Sequence, residues 1–199
     1  MRSPVSDSTP EIRTSSRKGM RDSVLGTRNL MTIAALSVVG SLIVVPLSIL
    51  TPAFATTPRA ILVMCATMGI WYIAYLLPGL LVPKPGAFLV AGLLMGIVST
   101  FTTPLGPTAV IGNLIGAAFL EIPMAVLLYK KWAWWSYGLG AIVFGGTNAA
   151  MYASAYNIDQ PRSEFVIGIV IAILSCFVVL ALGLVLRRRL QRAGVGVRQ

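Results

Sequence analysis

The sequence predicts an all-α integral membrane protein, a single bundle of six transmembrane helices with both the N- and C-termini cytoplasmic. Three observations lead there. The chain of 199 residues is 56% hydrophobic and only 11% charged, whereas charged residues make up about 25% of an ordinary soluble domain. Its apolar residues gather into six stretches, Asn29–Leu50, Ala60–Val82, Gly86–Thr100, Thr108–Tyr129, Ala133–Ala155 and Glu164–Leu186. Most of these can cross a hydrocarbon core of about 30 Å as a helix rising about 1.5 Å per residue. Finally, threading the chain with its N-terminus inside leaves only Arg59 and Arg162, of sixteen Lys and Arg, in the outer segments. Cytoplasmic loops retain Lys and Arg, so this bias sets the orientation.

Residues 1–28 are rich in Ser, Thr and basic side chains. They carry too little apolar surface to fold and are expected to form a disordered basic cytoplasmic tail. The first apolar run ends in Ala53-Phe54-Ala55, an A-x-A pattern. The run is about twice as long as a signal-peptide core of 7–15 residues, which favours an uncleaved first helix. Pro83-Lys84-Pro85-Gly86 reads as a tight inner turn, because each proline disfavours helix in the residue before it. Gly86–Thr100 is the shortest span. Lys130-Lys131-Trp132 is the second inner turn, and residues 29–186 make up the membrane domain. Residues 187–199, opening with Arg187-Arg188-Arg189, form a basic C-terminal tail. No internal repeat is visible.

The net charge of +10 is explained by orientation and by attraction to anionic lipid headgroups, so no nucleic-acid partner is called for. The chain has no histidine, no P-loop motif and no pair of acids within one span. These absences argue against His-based catalysis, zinc or haem ligation, nucleotide hydrolysis and an aspartyl dyad. No enzyme activity, cofactor or metal is expected. Cys65 and Cys176 lie in apolar stretches without a C-x-x-C partner and read as small buried hydrophobes.

Small residues mark where helices meet, because in lipid close backbone approach has to supply the packing. Gly92 and Gly96 form one G-x-x-x-G motif, and Gly112 and Gly116 another; both suit packing within the bundle. On the first helix Ala34, Ser37, Ser41 and Ser48 fall within about 60° of one another. Ala34, Ser37 and Ser41 are the candidate contacts for a partner helix, with internal packing as the alternative.

Glu121 is the sharpest candidate for chemistry. It lies thirteen residues from Thr108, about 20 Å along the helix, where a carboxylate costs several kcal/mol unless it is paired, protonated or wet. Either a ligand contact or a hydrogen bond between helices would satisfy it. A second cluster combines amides with aromatic rings. It comprises Asn148, Tyr152 and Tyr156 at four-residue spacing, Asn113 on the preceding helix, and Trp71, Tyr72 and Tyr75 on the second. Glu121, Asn148, Trp71, Tyr152, Asn113 and Tyr75 are therefore the candidate substrate-binding residues, for a planar heteroaromatic ligand entering from outside. The competing reading makes the tyrosines an interfacial belt and the asparagines interhelical glue. Trp132, Trp134 and Trp135 beside the lysines suit such a belt.

Some of these motifs carry a family resemblance. Gly69-Ile70-Trp71 followed by Pro83-Lys84-Pro85-Gly86-Ala87 resembles the YkoE family of S-components from energy-coupling factor (ECF) transporters. So does Gly116-Ala117-Ala118-Phe119-Leu120-Glu121 with Tyr129-Lys130-Lys131-Trp132. The resemblance covers roughly residues 69–146. It is weaker over the first helix, which lacks the A-x-x-x-A often seen in S-components. It implies capture of a vitamin or precursor, thiamine or hydroxymethylpyrimidine, at the bacterial plasma membrane. It also implies a transmembrane scaffold subunit and two ATPase subunits as partners. Two other classes compete: an accessory membrane subunit without ligand, and a small proton-coupled carrier using Glu121.

Overall fold

The computed structural model describes residues 24–57, 59–156 and 161–193. Most of the expected N-terminal tail lies outside the described residues. Among the described residues seven helices build six spans: α1 (Thr27–Ala55), α2 (Ala60–Ala66), α3 (Met68–Leu81), α4 (Ala87–Thr102), α5 (Thr108–Val126), α6 (Trp134–Ala155) and α7 (Arg162–Arg192). The second span is divided into α2 and α3 by an interruption at Thr67, which hydropathy does not reveal. α1 runs straight through Ala53-Phe54-Ala55. α7 continues as helix through Arg187–Arg192, so the start of the expected C-terminal tail is an extension of the last span. Four spans are long and apolar enough to cross a membrane by length and composition. α4 has only 16 residues, and α6 is diluted by Gly, Asn and Tyr.

α3 is the hub. Eleven of its fourteen residues are buried, and α1, α4, α5, α6 and α7 all pack on it. The closest pair is α4 with α5. A Cβ placed on Gly92 would stand 2.5 Å from the Ala117 Cβ, and one on Gly96 2.8 Å from the Val110 Cα. The first G-x-x-x-G thus brings two backbones together. The second does something else: a Cβ on Gly112 would meet nothing within 4 Å, and one on Gly116 would face the Tyr75 ring.

The small stripe of α1 turns inward. Ser37 and Ser41 are 2% and 4% exposed, and Ala34 is half-buried. Both serine hydroxyls donate to carbonyls one turn back, those of Ile33 and Ser37. A Cβ on Gly40, between them, would crowd Met95 and the Ala74 carbonyl. The stripe therefore packs on α3 and α4, and the outward face of α1 carries Met31, Val38, Val39 and Leu42 instead. For Ser37 and Ser41 this is the internal packing that the sequence left open beside contact with a partner helix. Periodicity finds the stripe but not the direction in which it points.

The two ends of the bundle differ. One end, here the basic end, carries Lys84, Lys130, Lys131 and Arg187, Arg188, Arg189 and Arg192 of α7. There Gly86 adopts φ 84° and opens α4. α5 closes with Leu128 and Tyr129 at φ 51° and 55°, the Tyr129 N–H reaching the Met124 carbonyl and the Leu128 N–H that of Ala125. This is a glycine-type helix ending made without glycine, a conformation unfavourable by roughly 1–2 kcal/mol per residue.

Candidate functional site

At the end opposite the lysines, α1, α3, α5 and α6 diverge around a cavity of about 290 Å³. Trp71 and Tyr75 of α3 form one wall. Asn113, Gly112 and Gly116 of α5 form the second, and Phe144, Asn148 and Tyr152 of α6 the third. Ser48 of α1 and Leu105 of the α4–α5 loop close its rim. A second hollow of about 160 Å³ shares Ser48, Trp71, Leu105 and Tyr152 and continues past Pro52 and Tyr156. The second G-x-x-x-G is what leaves this room, since the missing side chain of Gly112 becomes cavity.

Helical spacing explains the third wall. Phe144, Asn148 and Tyr152 recur every four residues and so share one face of α6. Phe144 also packs its ring on Tyr72 and Tyr75, with centroids 5.5 and 5.9 Å apart. Asn113 is held by both amide atoms: Oδ1 accepts the Tyr75 hydroxyl at 2.8 Å, and Nδ2 donates to the Ala109 carbonyl at 2.8 Å. Asn148 donates through Nδ2 to the Phe144 carbonyl at 2.9 Å. Its Oδ1 and second N–H take no partner among the described residues. The Tyr152 hydroxyl is likewise uncommitted among the described residues, while its ring leans on Tyr156 at 6.1 Å. No Asp, Glu, Lys or Arg lines the cavity. The site therefore offers aromatic faces and neutral donors and acceptors, without charge.

Five of the six residues expected to bind substrate, Trp71, Tyr75, Asn113, Asn148 and Tyr152, line this one cavity. Glu121 does not. It is eight residues beyond Asn113 on α5, about 12 Å along the axis, near the basic end. Its carboxylate is 3% exposed. Oε1 accepts the Gly86 N–H at 2.7 Å and Oε2 the Phe88 N–H at 3.2 Å. The first turn of a helix has N–H groups with no partner of their own and favours negative charge, so the start of α4 supplies donors that suit a carboxylate. Tyr129 lies beside the same carboxylate and interacts with it electrostatically. Of the two ways of satisfying Glu121, the hydrogen bond between helices is the one present, made to the backbone at the start of α4.

Trp132 departs from the belt expectation as well. It is half-buried and stacks on Phe88 and Tyr129, with centroids 6.4 and 6.1 Å away. Trp134 remains exposed, and Lys131 Nζ sits 5.9 Å from the Trp135 ring centroid. Sequence reasoning missed Phe144, Gly112, Ser48 and Met151 as cavity residues. Phe144 carried a usable signal, being the next inward position of the Asn148–Tyr152 stripe.

Fold and cavity together define a multi-pass helical membrane protein with a neutral aromatic hollow at one end. Residues 28–147 match the family described as ABC-type cobalt transport system, permease component, and the chain belongs to that family of transport proteins. Its fold is also that of a solved protein, "Crystal structure of an S-component of ECF transporter". The TM-score is 0.71 at 20% identity, over 85% of this chain and 87% of that one. No curated protein matches the sequence.

Proposed function

We propose that the chain is the substrate-capturing S-component of an ECF-type importer, holding a small neutral heteroaromatic ligand in the cavity of α1, α3, α5 and α6. The best candidate is hydroxymethylpyrimidine, with thiamine second. Family and fold support a transport role. The observation that carries the ligand reading is the cavity itself: stacking faces from Trp71, Tyr75 and Phe144 stand beside the uncommitted amide atoms of Asn148. An aminopyrimidine needs both, a flat partner for its ring and donors and acceptors for its nitrogens. The volume lies just below the range of about 300–1,000 Å³ usual for drug-sized ligands, which suits a single substituted ring. Thiamine adds a cationic ring that the uncharged walls would meet only through cation–π contact.

The family description names cobalt, so a metal ion is the second reading. The donor set disfavours it. Co²⁺ takes imidazole, thiolate or carboxylate ligands, whereas the cavity presents amides, phenols and an indole. No group of three or more His, Cys, Asp or Glu exists among the described residues. In this reading the basic end is cytoplasmic, the cavity opens outward, and a transmembrane scaffold with two ATPases powers transport.

Titration calorimetry of the purified protein with hydroxymethylpyrimidine, thiamine and Co²⁺ tests the assignment. Binding of the pyrimidine, lost in Asn148→Ala and Trp71→Ala, is the expected outcome. Tight Co²⁺ binding without pyrimidine binding would overturn the ligand reading. ATP-independent uptake by liposomes holding this chain alone would overturn the S-component reading.

A further inference from the structure

The interruption of the second span is bridged by a side chain from another helix. In an unbroken α-helix the Gly69 N–H would donate to the Cys65 carbonyl, and the Ala66 carbonyl would accept the Ile70 N–H. Neither bond forms. The Gly69 N–H donates to Ser175 Oγ of α7 at 3.0 Å, and the Ser175 hydroxyl donates to the Ala66 carbonyl at 2.8 Å. The Ile70 N–H turns back to the Thr67 carbonyl at 2.9 Å, a tighter i→i−3 step. One hydroxyl thus satisfies a donor and an acceptor that the hydrocarbon core would otherwise leave unpaired. The contact leaves no slack, since a Cβ on Gly69 would lie 2.5 Å from the Ser175 carbonyl oxygen and 2.6 Å from Oγ.

The break begins four residues before Trp71, which heads the cavity wall, and Tyr75 follows one turn later. A tight turn winds about 120° per residue and an α-helix about 100°. Restoring regular helix across the break would therefore rotate α3 against α2 by about 20° for each residue converted. The far half of α3 is held separately, by the Tyr72 hydroxyl on the Tyr137 carbonyl and by Tyr75 on Asn113. Trp71 lies between these anchors and the break, so its direction depends on the bridge.

We infer that Ser175 is a positioning residue for the cavity: by bridging the interruption at Thr67 it sets the rotation of α3 that aims Trp71 into the hollow. The consequence for ligand rests on the function proposed above; the consequence for Trp71 does not. The test uses the full chain in lipid nanodiscs. The Trp71 emission is taken as the difference between the parent and Trp71→Phe, with and without Ser175→Ala, alongside hydroxymethylpyrimidine titrations. Ser175→Ala should shift the Trp71 emission maximum and weaken pyrimidine binding tenfold or more, and Ser175→Thr, which keeps a hydroxyl, should restore both. An unchanged Trp71 emission in Ser175→Ala would overturn the inference whatever the ligand does. A shifted emission with unchanged binding would uphold the positioning role and remove Trp71 from the ligand site. Should Ser175→Ala fail to fold, Gly69→Ala presses on the same contact, and an unshifted Trp71 emission there would be equally fatal.

Discussion

The two ends of the bundle are built from similar side chains and do different things. At the basic end, Glu121, Tyr129, Trp132, Phe88 and Tyr137 form an aromatic cluster around one buried carboxylate. At the other, Trp71, Tyr75, Phe144 and Tyr152 surround two amides. The difference lies in how far the polar groups are satisfied. Each oxygen of Glu121 accepts a backbone N–H of α4, and the rings close over it. Asn148 spends a single N–H on its own helix and turns the rest toward an empty volume. A polar residue in a membrane span thus has capacity for a further partner only where the protein has left part of it unpaired.

The sharpest way to break this contrast is to remove Glu121. Glu121→Ala leaves the part-buried Gly86 N–H and the buried Phe88 N–H at the start of α4 without an acceptor, at about 1–3 kcal/mol each. Thermal unfolding in detergent should show a loss of roughly 2–6 kcal/mol. Pyrimidine affinity, measured on the fraction that stays folded, should change less than twofold. A large affinity loss with unchanged stability would return Glu121 to the ligand site.

The converse test addresses the cavity. Asn148→Ala and Trp71→Ala should each weaken binding by about 1–3 kcal/mol, roughly 5- to 150-fold, with little change in unfolding temperature. If either variant instead melts early and binds normally, the amide–aromatic cluster is glue and the ends are alike after all.

The two G-x-x-x-G motifs sharpen the comparison further. Gly92→Ala forces a methyl group into the Ala117 Cβ and the Asn113 carbonyl, and overpacking of this kind costs about 1–3 kcal/mol. Gly112→Ala meets open space and should leave stability within about 0.5 kcal/mol, while narrowing the cavity enough to lower pyrimidine affinity. Equal destabilisation by both would contradict the assignment of Gly112 to the cavity wall.

Much of the cavity lining was legible in the sequence, because amides and aromatic rings at helical spacing stand out in lipid-facing helices. What spacing did not supply was rotation and register. Glu121 stood at the right depth, yet which group would meet it depended on where α4 begins. The free N–H groups there belong to Gly86 and Phe88, 35 and 33 residues earlier in the chain. Likewise Ser37 and Ser41 formed a visible stripe, but a stripe of small residues looks the same whether it faces α3 and α4 or a foreign helix.

The sequence by itself determined that this chain crosses a membrane as six helical spans, and near which residues each begins and ends. Those are local matters: apolar length and the need to satisfy the backbone within each segment are written residue by residue. Only the tertiary structure decided that span two breaks at Thr67 with Ser175 as its bridge, that Glu121 seals one end, and that Gly112 opens the other. Each of these turns on which neighbour saturates a polar group or fills a gap. That neighbour is set by helix rotation and packing across tens of residues, to which no local pattern is sensitive.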